Sequence, residues 1–188
     1  NVNVILNVRE DHLDFFKDIN DIRNSFKIFA DKLDSNGTLI INSLIDDLGY
    51  FTKDLKCKYV TFGLDSQISD FSPANIVYNK FACASFDVVR RITSCENGCC
   101  LIKGTETIAH IDLKVPGEHN ILNALAAFAT ANSINIPTDF IVNGLNNYSG
   151  TDRRFQYKGT FNGVTVVDDY AHHPDEIEAT LTTAKNYP

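Results

Sequence analysis

Two kinds of apolar pattern alternate over the first 62 residues, and this alternation restricts the fold more than any other feature of the chain. Apolar and β-branched runs over residues 2–8, 38–42 and 58–62 predict strands, and helical spacing of apolar residues predicts helices over 19–33 and 46–55. Strands separated by helices form a mostly parallel sheet with helices packed against it. The predicted fold class is therefore α/β.

The same periodicities predict which side chains are buried. In the first strand, the more apolar face should point inward, and it carries Val2, Val4, Leu6 and Val8. In the first helix, positions three and four residues apart should form the core face, and they are Ile19, Ile22, Phe26, Phe29 and Leu33.

The pattern changes between residues 71 and 115, where turn residues rather than helices separate the extended runs. The turn signals are Asn97-Gly98 and Lys103-Gly104, which are typical of tight hairpins. We therefore expect a small antiparallel sheet appended to the parallel one. The runs assigned to it are 75–81, 85–91, 99–102 and 105–115.

Two helices and a hairpin are predicted in the remainder of the chain. One helix, rich in small residues, opens at Glu118, and the next spans 137–147. Ser149-Gly150-Thr151 is a linker. Beyond it, residues 153–158 and 164–170 should pair across the Asn162-Gly163 turn.

A polar corner joins the last predicted strand to the last helix. Val164 to Val167 predict a buried strand, and Pro174 suits the first turn of a helix, where its missing N–H costs nothing. Two aspartates, a tyrosine and two histidines lie between them. Singly, such residues are more often caps or solvated loop side chains, but their grouping outside the carboxyl end of a strand indicates a ligand site. Adjacent His172 and His173 point in different directions, so a zinc-type site is not expected there.

Strand parity separates the two adjacent acids of this corner. Asp168 should share a face with Tyr170, and Asp169 should lie on the other face. The two carboxylates are therefore expected to do different work. Asp168 is predicted to orient Arg153, His172 or nearby backbone.

A second polar corner, Arg9 to Asp14, follows the first strand and holds three carboxylates and His12. A solvated turn accounts for such a segment. Carboxylates and an imidazole at a strand end can also hold a hard cation beside a phosphate. Magnesium prefers oxygen ligands, so a site that includes His12 would suit manganese as well.

Asn120 and Asn123 stand in the first turns predicted for the helix that opens at Glu118, although asparagine is a poor interior helix former. A helix cap at Asn120 accounts for one of them. Alternatively, the pair presents its amides to a flat heterocycle, since an asparagine side chain matches the N6/N7 edge of adenine.

Composition excludes several classes of protein. A net charge of −7 argues against nucleic-acid and anionic-membrane surfaces, which need clustered Lys and Arg. No apolar run has the length of a membrane span, so a cytoplasmic protein is expected. The chain has no methionine and begins within a strand, so we expect a piece of a longer protein. The cysteines are odd in number and should be reduced thiols: Cys57, Cys83, Cys95, Cys99 and Cys100.

Four motifs together resemble the Mur ligases. Each is weak alone, but they occur in order across nearly the whole chain, and the last resembles the alanine-adding branch of the family. They are Asn7 with Glu10-Asp11-His12-Leu13-Asp14, Pro116-Gly117-Glu118-His119-Asn120 with Asn123-Ala124-Leu125-Ala126-Ala127, Gly150 with Arg153-Arg154-Phe155, and Asp168-Asp169-Tyr170-Ala171-His172-His173-Pro174 with Glu176-Ile177.

The resemblance implies ATP-dependent amide synthesis through an acyl phosphate, joining L-alanine to UDP-N-acetylmuramate for peptidoglycan. By the family pattern, His12 would help hold Mg²⁺ or Mn²⁺ near the muramate carboxylate and the γ-phosphate, and Arg154 would contact the phosphates. The remaining roles also come from the resemblance: Asn120 and Asn123 at adenine, Asp169 at the ribose, and Tyr170 and His172 near the incoming amino acid.

Lys27 stands where sister ligases carry a carbamylated lysine that bridges metal ions. The alanine-adding branch does not rely on that group. A solvated, unmodified helix lysine is therefore the prediction.

The resemblance divides the chain into residues 1–149, the later part of a central ATP-binding domain, and residues 150–188, the strand-hairpin-helix opening of a Rossmann-like C-terminal domain. No Gly-rich phosphate loop ending in Lys-Thr or Lys-Ser occurs in the sequence. By itself, the 188-residue chain is expected to be inactive.

Three other functions remain open from the sequence. A ligase that re-attaches a recycled tripeptide to the same muramate shares much of this pattern. A non-catalytic nucleotide-binding module would also lack the phosphate loop. The third is a metal-dependent hydrolase built on His12, His172 and His173.

Overall fold

A computed structural model describes residues 1–96 and 99–187. The predicted Asn97-Gly98 turn lies outside the described residues, as do the side chains of Cys95, Cys99 and Cys100. The helices are α1 Ile19–Asp31, α2 Leu48–Thr52, α3 His119–Ser133, α4 Thr138–Asn147 and α5 Pro174–Lys185. The strands are β1 Val2–Ile5, β2 Thr38–Asn42, β3 Lys58–Phe62, β4 Phe71–Tyr78, β5 Cys83–Glu96, β6 Cys99–Pro116, β7 Gln156–Phe161 and β8 Val164–Asp168.

The first six strands form one sheet in the order β1-β2-β3-β4-β5-β6. The pairs from β1 to β4 are parallel, and β5 and β6 add antiparallel pairs at one edge. The predicted α/β class and its antiparallel addition are confirmed. The antiparallel strands continue the parallel sheet, because Phe62 at the end of β3 pairs with Phe71 at the start of β4.

The turn predicted at Lys103-Gly104 is wrong. β6 runs through this position as one strand of 18 residues. Opposite it, the pairing moves from Ile92↔Gly104 to Thr93↔Ile102, which leaves Lys103 without a partner in the register. Gly104 has φ +148°. Here glycine permits a bulge within a strand rather than a reversal of the chain.

Helices and loops cover the parallel part of the sheet on both faces. Alternate residues of β2 point into different clusters, with Ile40 on the α3 side and Leu39 and Ile41 on the α1 side. β1 is likewise divided, because Val2 and Val4 pack toward α3, whereas Ile5 belongs to the other cluster.

One burial prediction in β1 and one in α1 were wrong. Leu6, predicted to point inward, is 45% exposed because β1 ends at Ile5, whose side chain is only 1% exposed. In α1, Ile22 is buried, but Phe29 is 39% exposed and lines an open cleft. A strand covered on both faces lacks the simple inward and outward alternation that we assumed.

The segment from β7 to α5 forms the predicted hairpin and helix, with β7 at Gln156–Phe161 instead of 153–158. The prediction that Val164 to Val167 form a buried strand is wrong: Val164 is 63% and Val166 47% exposed, because no further strand or helix of the described residues covers that face of the two-stranded sheet. β7 and β8 form an antiparallel hairpin, and both turn residues have positive φ, +49° at Asn162 and +79° at Gly163. This is the type I′ turn that Asn-Gly favours. α5 begins at Pro174, as predicted. Among the helices of the described residues, none is long and apolar enough to cross a membrane.

Candidate active site

The corner after β1 is held by an asparagine at the end of β2. Buried Asn42 donates its Nδ2–H to the Leu6 carbonyl at 3.0 Å, and its Oδ1 accepts the Leu44 N–H at 2.9 Å. These two bonds fix the position where the chain leaves β1. Asn42 was not among the predicted site residues, although a polar side chain at the end of an apolar run was an available signal.

His12 projects from this corner into solvent. Its backbone has φ +51°, and its side chain is 70% exposed. Asp11 accepts the His12 N–H at 2.7 Å, and its other oxygen lies 3.7 Å from His12 Nε2. Among the ion pairs of the described residues, Asp11 is the only carboxylate beside His12. The expected grouping of three carboxylates around the imidazole is therefore not formed.

Asp169 organises the corner after β8. Its Oδ1 accepts the Ala171 N–H at 2.8 Å. Its Oδ2 accepts the Phe155 N–H at 2.9 Å and the Thr180 hydroxyl at 3.1 Å. Three acceptor positions of a half-buried carboxylate are thus occupied by the chain itself. A ribose would find about one remaining acceptor position rather than two free oxygens.

Tyr170 and His172 form a small exposed group with Arg153. The Tyr170 and His172 rings lie 5.2 Å apart, and the Arg153 guanidinium lies 5.1 Å from the Tyr170 ring centre. Asp168 makes no side-chain hydrogen bond or ion pair within the part of the chain that the structure describes. The prediction that Asp168 orients Arg153 or His172 is therefore wrong, because stacking on Tyr170 takes that role for Arg153.

The two polar corners meet through His173. Its Nδ1 accepts the Asp175 N–H at 3.3 Å, so its Nε2 carries the proton and donates to the Glu10 carbonyl at 2.8 Å. Beside this bond, Arg9 Nε lies 3.8 Å from an Asp175 carboxylate oxygen. The meeting forms a cleft of about 550 Å³, whose walls include Asp11 and His12 on one side and His173, Asp175 and Glu176 on the other.

Glu176 contacts two of the predicted site residues. Its Oε1 accepts from Arg154 Nη1 at 3.3 Å, and its Oε2 accepts the His172 N–H at 3.3 Å. Burial raises the pKa of Glu176, but the hydrogen bonds from backbone N–H groups and from Arg154 outweigh burial and hold that pKa below its ordinary value. Glu176 is therefore ionised at neutral pH. Glu176 belongs to the last of the four motifs, but no role was predicted for it from the sequence.

Asn120 and Asn123 bond to each other. Asn123 Nδ2 donates to Asn120 Oδ1 at 3.1 Å, and Asn120 Nδ2 donates to the Pro116 carbonyl at 2.8 Å. Of the two interpretations left open, the helix cap at Asn120 is wrong, because the helix starts at His119 with Glu118 as N-cap. Of the two amides, Asn123 lines a cleft of about 320 Å³.

His119 is a further residue that the sequence analysis left without a role. It lines the same cleft as Asn123. Surrounding protein atoms desolvate its ring and lower its pKa; Arg154 adds repulsion, and Asp169 opposes the shift. His119 is therefore neutral at pH 7, and it lies close enough to Arg154 and Asp169 for their charges to affect its pKa.

Lys27 was predicted to be solvated, but its side chain is mostly buried. Its side chain is 19% exposed, and its Nζ pairs with Asp31 and donates to the Lys53 carbonyl at 3.2 Å. Both contacts need the ammonium as a donor. A carbamate would bring negative charge beside Asp31, so the surroundings suit an unmodified lysine.

The donor groups limit what metal could bind. Within residues 1–96 and 99–187, no group of three His, Cys, Asp or Glu side chains is arranged to hold a metal ion. Both ring nitrogens of His173 are engaged. Mg²⁺ usually takes one or two protein ligands and completes its shell with phosphates and water. His12 with Asp11 fits that partial ligand set and no fuller one.

The chain matches two protein-family models and has close sequence relatives. Residues 1–131 match the Mur ligase middle domain, and residues 153–188 match the Mur ligase, glutamate ligase domain. A UDP-N-acetylmuramate–L-alanine ligase from Lachnospira eligens is 51% identical over 187 residues, which is 100% of this chain and 38% of that protein. The chain thus spans about 38% of the length of this curated relative.

Solved structures of two ligases are also similar to this chain. The UDP-N-acetylmuramate-alanine ligase MurC of Thermotoga maritima is 27% identical with a TM-score of 0.73, covering 99% of this chain and 38% of that one. A murein peptide ligase from Psychrobacter arcticus is 25% identical with a TM-score of 0.65, covering 98% of this chain and 34% of that one. Because the middle-domain match alone takes in residues 1–131 of 188, the chain belongs to the Mur ligase family.

Proposed function

We propose that this chain is part of an ATP-dependent ligase that joins L-alanine to UDP-N-acetylmuramate in cytoplasmic peptidoglycan precursor synthesis. The observation that carries the proposal is the bond from His173 to the Glu10 carbonyl, which joins the two polar corners into one cleft. His12 lies on one wall of that cleft, and Glu176, which accepts a hydrogen bond from Arg154, lies on the other. Buried, free thiols at Cys57 and Cys83 suit a reducing compartment.

The proposed reaction has two steps. The muramate carboxylate attacks the γ-phosphorus of ATP and releases ADP, and the amine of alanine then attacks the acyl phosphate and releases phosphate. Both steps bring anions together, so the protein contributes mainly by positioning the reactants and by neutralising charge.

Arg154 is proposed to neutralise phosphate charge. Its bond to Glu176 uses Nη1, so its Nε and Nη2 donors remain for a phosphate. Asn123 and His119 line one cleft and are the groups proposed to meet the nucleotide base. Asn120 is proposed to act through Asn123, because its own amide is already bonded on both sides.

Tyr170 and His172 are proposed to receive the amino acid. The His172 Nδ1 lies 3.0 Å from the Tyr170 carbonyl, so Nδ1 carries the proton and Nε2 is left as an acceptor. An acceptor at this position suits the amine of the incoming alanine. His12, with Asp11 beside it, is proposed to supply one ligand to a magnesium or manganese ion that the ATP phosphates also hold.

The nearest alternative is a ligase that attaches a recycled tripeptide to the same muramate. The likeness to the murein peptide ligase from Psychrobacter arcticus supports it, but with lower identity than the likeness to the alanine ligase of Lachnospira eligens. A metal-dependent hydrolase has no support among the described residues, because both ring nitrogens of His173 are hydrogen-bonded within the chain.

An isotope experiment tests the proposed reaction. A full-length ligase that contains this chain is given ATP, alanine and UDP-N-acetylmuramate with isotopically labelled carboxylate oxygens. One labelled oxygen should appear in each released phosphate, because the acyl phosphate breaks at its carbon–oxygen bond. Phosphate free of label, or formed without alanine at the same rate, would contradict the proposal.

The 188-residue chain expressed alone should fold but release no alanine-dependent phosphate from ATP. Its sequence has no Gly-rich loop to cradle the phosphates. Circular dichroism would establish folding, and a phosphate assay beside the full-length ligase would measure turnover. Alanine-dependent release above the rate without protein would refute this prediction.

Replacing Arg154 with lysine in the full-length ligase should lower kcat/KM for ATP on the order of tenfold, or about 1.4 kcal/mol. Lysine keeps the charge but loses the planar fork that can bond Glu176 and a phosphate at once. Steady-state kinetics against wild type would measure the loss. Unchanged kinetics would return Arg154 to the role of a surface residue paired with Glu176.

A further inference from the structure

We propose that Glu176 is a positioning residue that holds the phosphate-binding Arg154 and the amino-acid-binding His172 at a fixed separation. The inference rests on the proposed ligase function, which gives those two residues their roles. No role had been assigned to Glu176.

The two oxygens of Glu176 have separate partners. Oε1 accepts from Arg154 Nη1, and Oε2 accepts the His172 N–H, both at 3.3 Å. Oε2 also lies 3.6 Å from His172 Nδ1. The Glu176 side chain is 36% exposed and lines the cleft that contains His12. One carboxylate therefore connects the group proposed to contact ATP with the group proposed to contact alanine.

Helix capping accounts for only half of these contacts. Glu176 is the third residue of α5, after the N-cap His173, and a glutamate at that position commonly bonds backbone N–H groups before the helix. The bond to the His172 N–H is of that kind. The bond to Arg154, which lies 22 residues earlier in the chain, is not.

The contacts leave the functional atoms free. Arg154 gives Glu176 one terminal nitrogen, and its side chain is 53% exposed on the remaining sides. His172 points Nδ1 toward the Tyr170 carbonyl and keeps Nε2 available. Glu176 thus restrains one terminal nitrogen of the Arg154 side chain and the backbone of His172. A displacement of about 1 Å at such a site can cost on the order of 100-fold in rate.

The test compares three variants of the full-length ligase. Glu176→Ala removes both contacts and should raise KM for ATP and for alanine about tenfold each, since both binding groups lose their restraint. Glu176→Gln keeps one acceptor oxygen and should give intermediate values. Glu178→Ala, on the exposed side of the same helix, is the matched control and should resemble wild type.

The readouts separate positioning from capping. A capping role alone would lower the melting temperature and the active fraction while leaving both KM values unchanged, and that result would overturn the proposal. So would a Glu176→Ala variant with a lower KM for ATP, because Glu176 would then compete with the phosphates for Arg154. If wild type itself shows no alanine-dependent turnover, the proposed function fails first, and this inference falls with it.

Discussion

Replacing Asp169 with alanine in a full-length ligase is expected to loosen the corner after β8 and to raise KM for both ATP and alanine about tenfold. Three donors lose their acceptor in this variant: the Phe155 and Ala171 N–H groups and the Thr180 hydroxyl. Ala171 lies between Tyr170 and His172, so the loss reaches the proposed amino-acid site as well as the ribose contact proposed for Asp169. At about 1.5–3 kcal/mol for a hydrogen bond to a charged group, the free energy of local opening should fall by about 2 kcal/mol or more.

Hydrogen exchange measures that opening directly. Peptides that contain the Phe155 and Ala171 amides should exchange at least about tenfold faster in Asp169→Ala than in wild type. Asp168→Ala is the matched control, because its side chain has no bond among the described residues. A rise in KM for ATP alone, with unchanged exchange, would show that Asp169 acts only through the ribose. If Asp168→Ala had the larger rise in KM for ATP and Asp169→Ala the smaller, the strand register assumed here would be off by one residue.

Replacing His12 with alanine is expected to slow turnover on the order of 100-fold and to weaken its dependence on divalent metal. His12 is the exposed imidazole on the cleft wall, and it fits the position of a single protein ligand to a phosphate-bound ion. A magnesium titration of the full-length variant would show a higher half-saturating concentration. Its melting temperature should stay near that of wild type, since the side chain is 70% exposed.

Two outcomes would contradict the role given to His12. An unchanged magnesium titration with normal turnover would make His12 a solvated turn residue. An equal loss in His12→Ala and Asp11→Ala without any change in metal dependence would indicate that the pair shapes the corner and nothing more. His110→Ala, an exposed histidine on β6, is a suitable control for the loss of an imidazole.

Elements with strong local signals were predictable from the sequence. β2 and β3 have the predicted bounds because short apolar runs between turn residues leave little freedom. The Asn162-Gly163 turn and the start of α5 at Pro174 follow from backbone preferences that neighbours do not alter. Lys103-Gly104 failed because the same glycine freedom serves a turn or a bulge, and the pairing with β5 selects the bulge.

The site was predictable as two separate groups of residues but not as one place. The contact between His173 and the Glu10 carbonyl joins residues 163 positions apart, and no local pattern encodes it. The three-residue spacing of Asn120 and Asn123 did predict neighbours, yet their bond to each other depends on the Pro116 carbonyl nearby. Glu176 was overlooked because a helix cap explains an acid at its position, and its Arg154 contact exists only in the folded chain.

A competition between acceptors tests the central claim most directly. A full-length ligase that contains this chain is supplied with ATP, UDP-N-acetylmuramate and equal concentrations of L-alanine and the recycled tripeptide, and the products are separated by mass spectrometry. The proposed function predicts that the alanyl product dominates and that one ADP forms for each amide bond. A dominant tripeptide product, or ADP formed without any amide product, would contradict it.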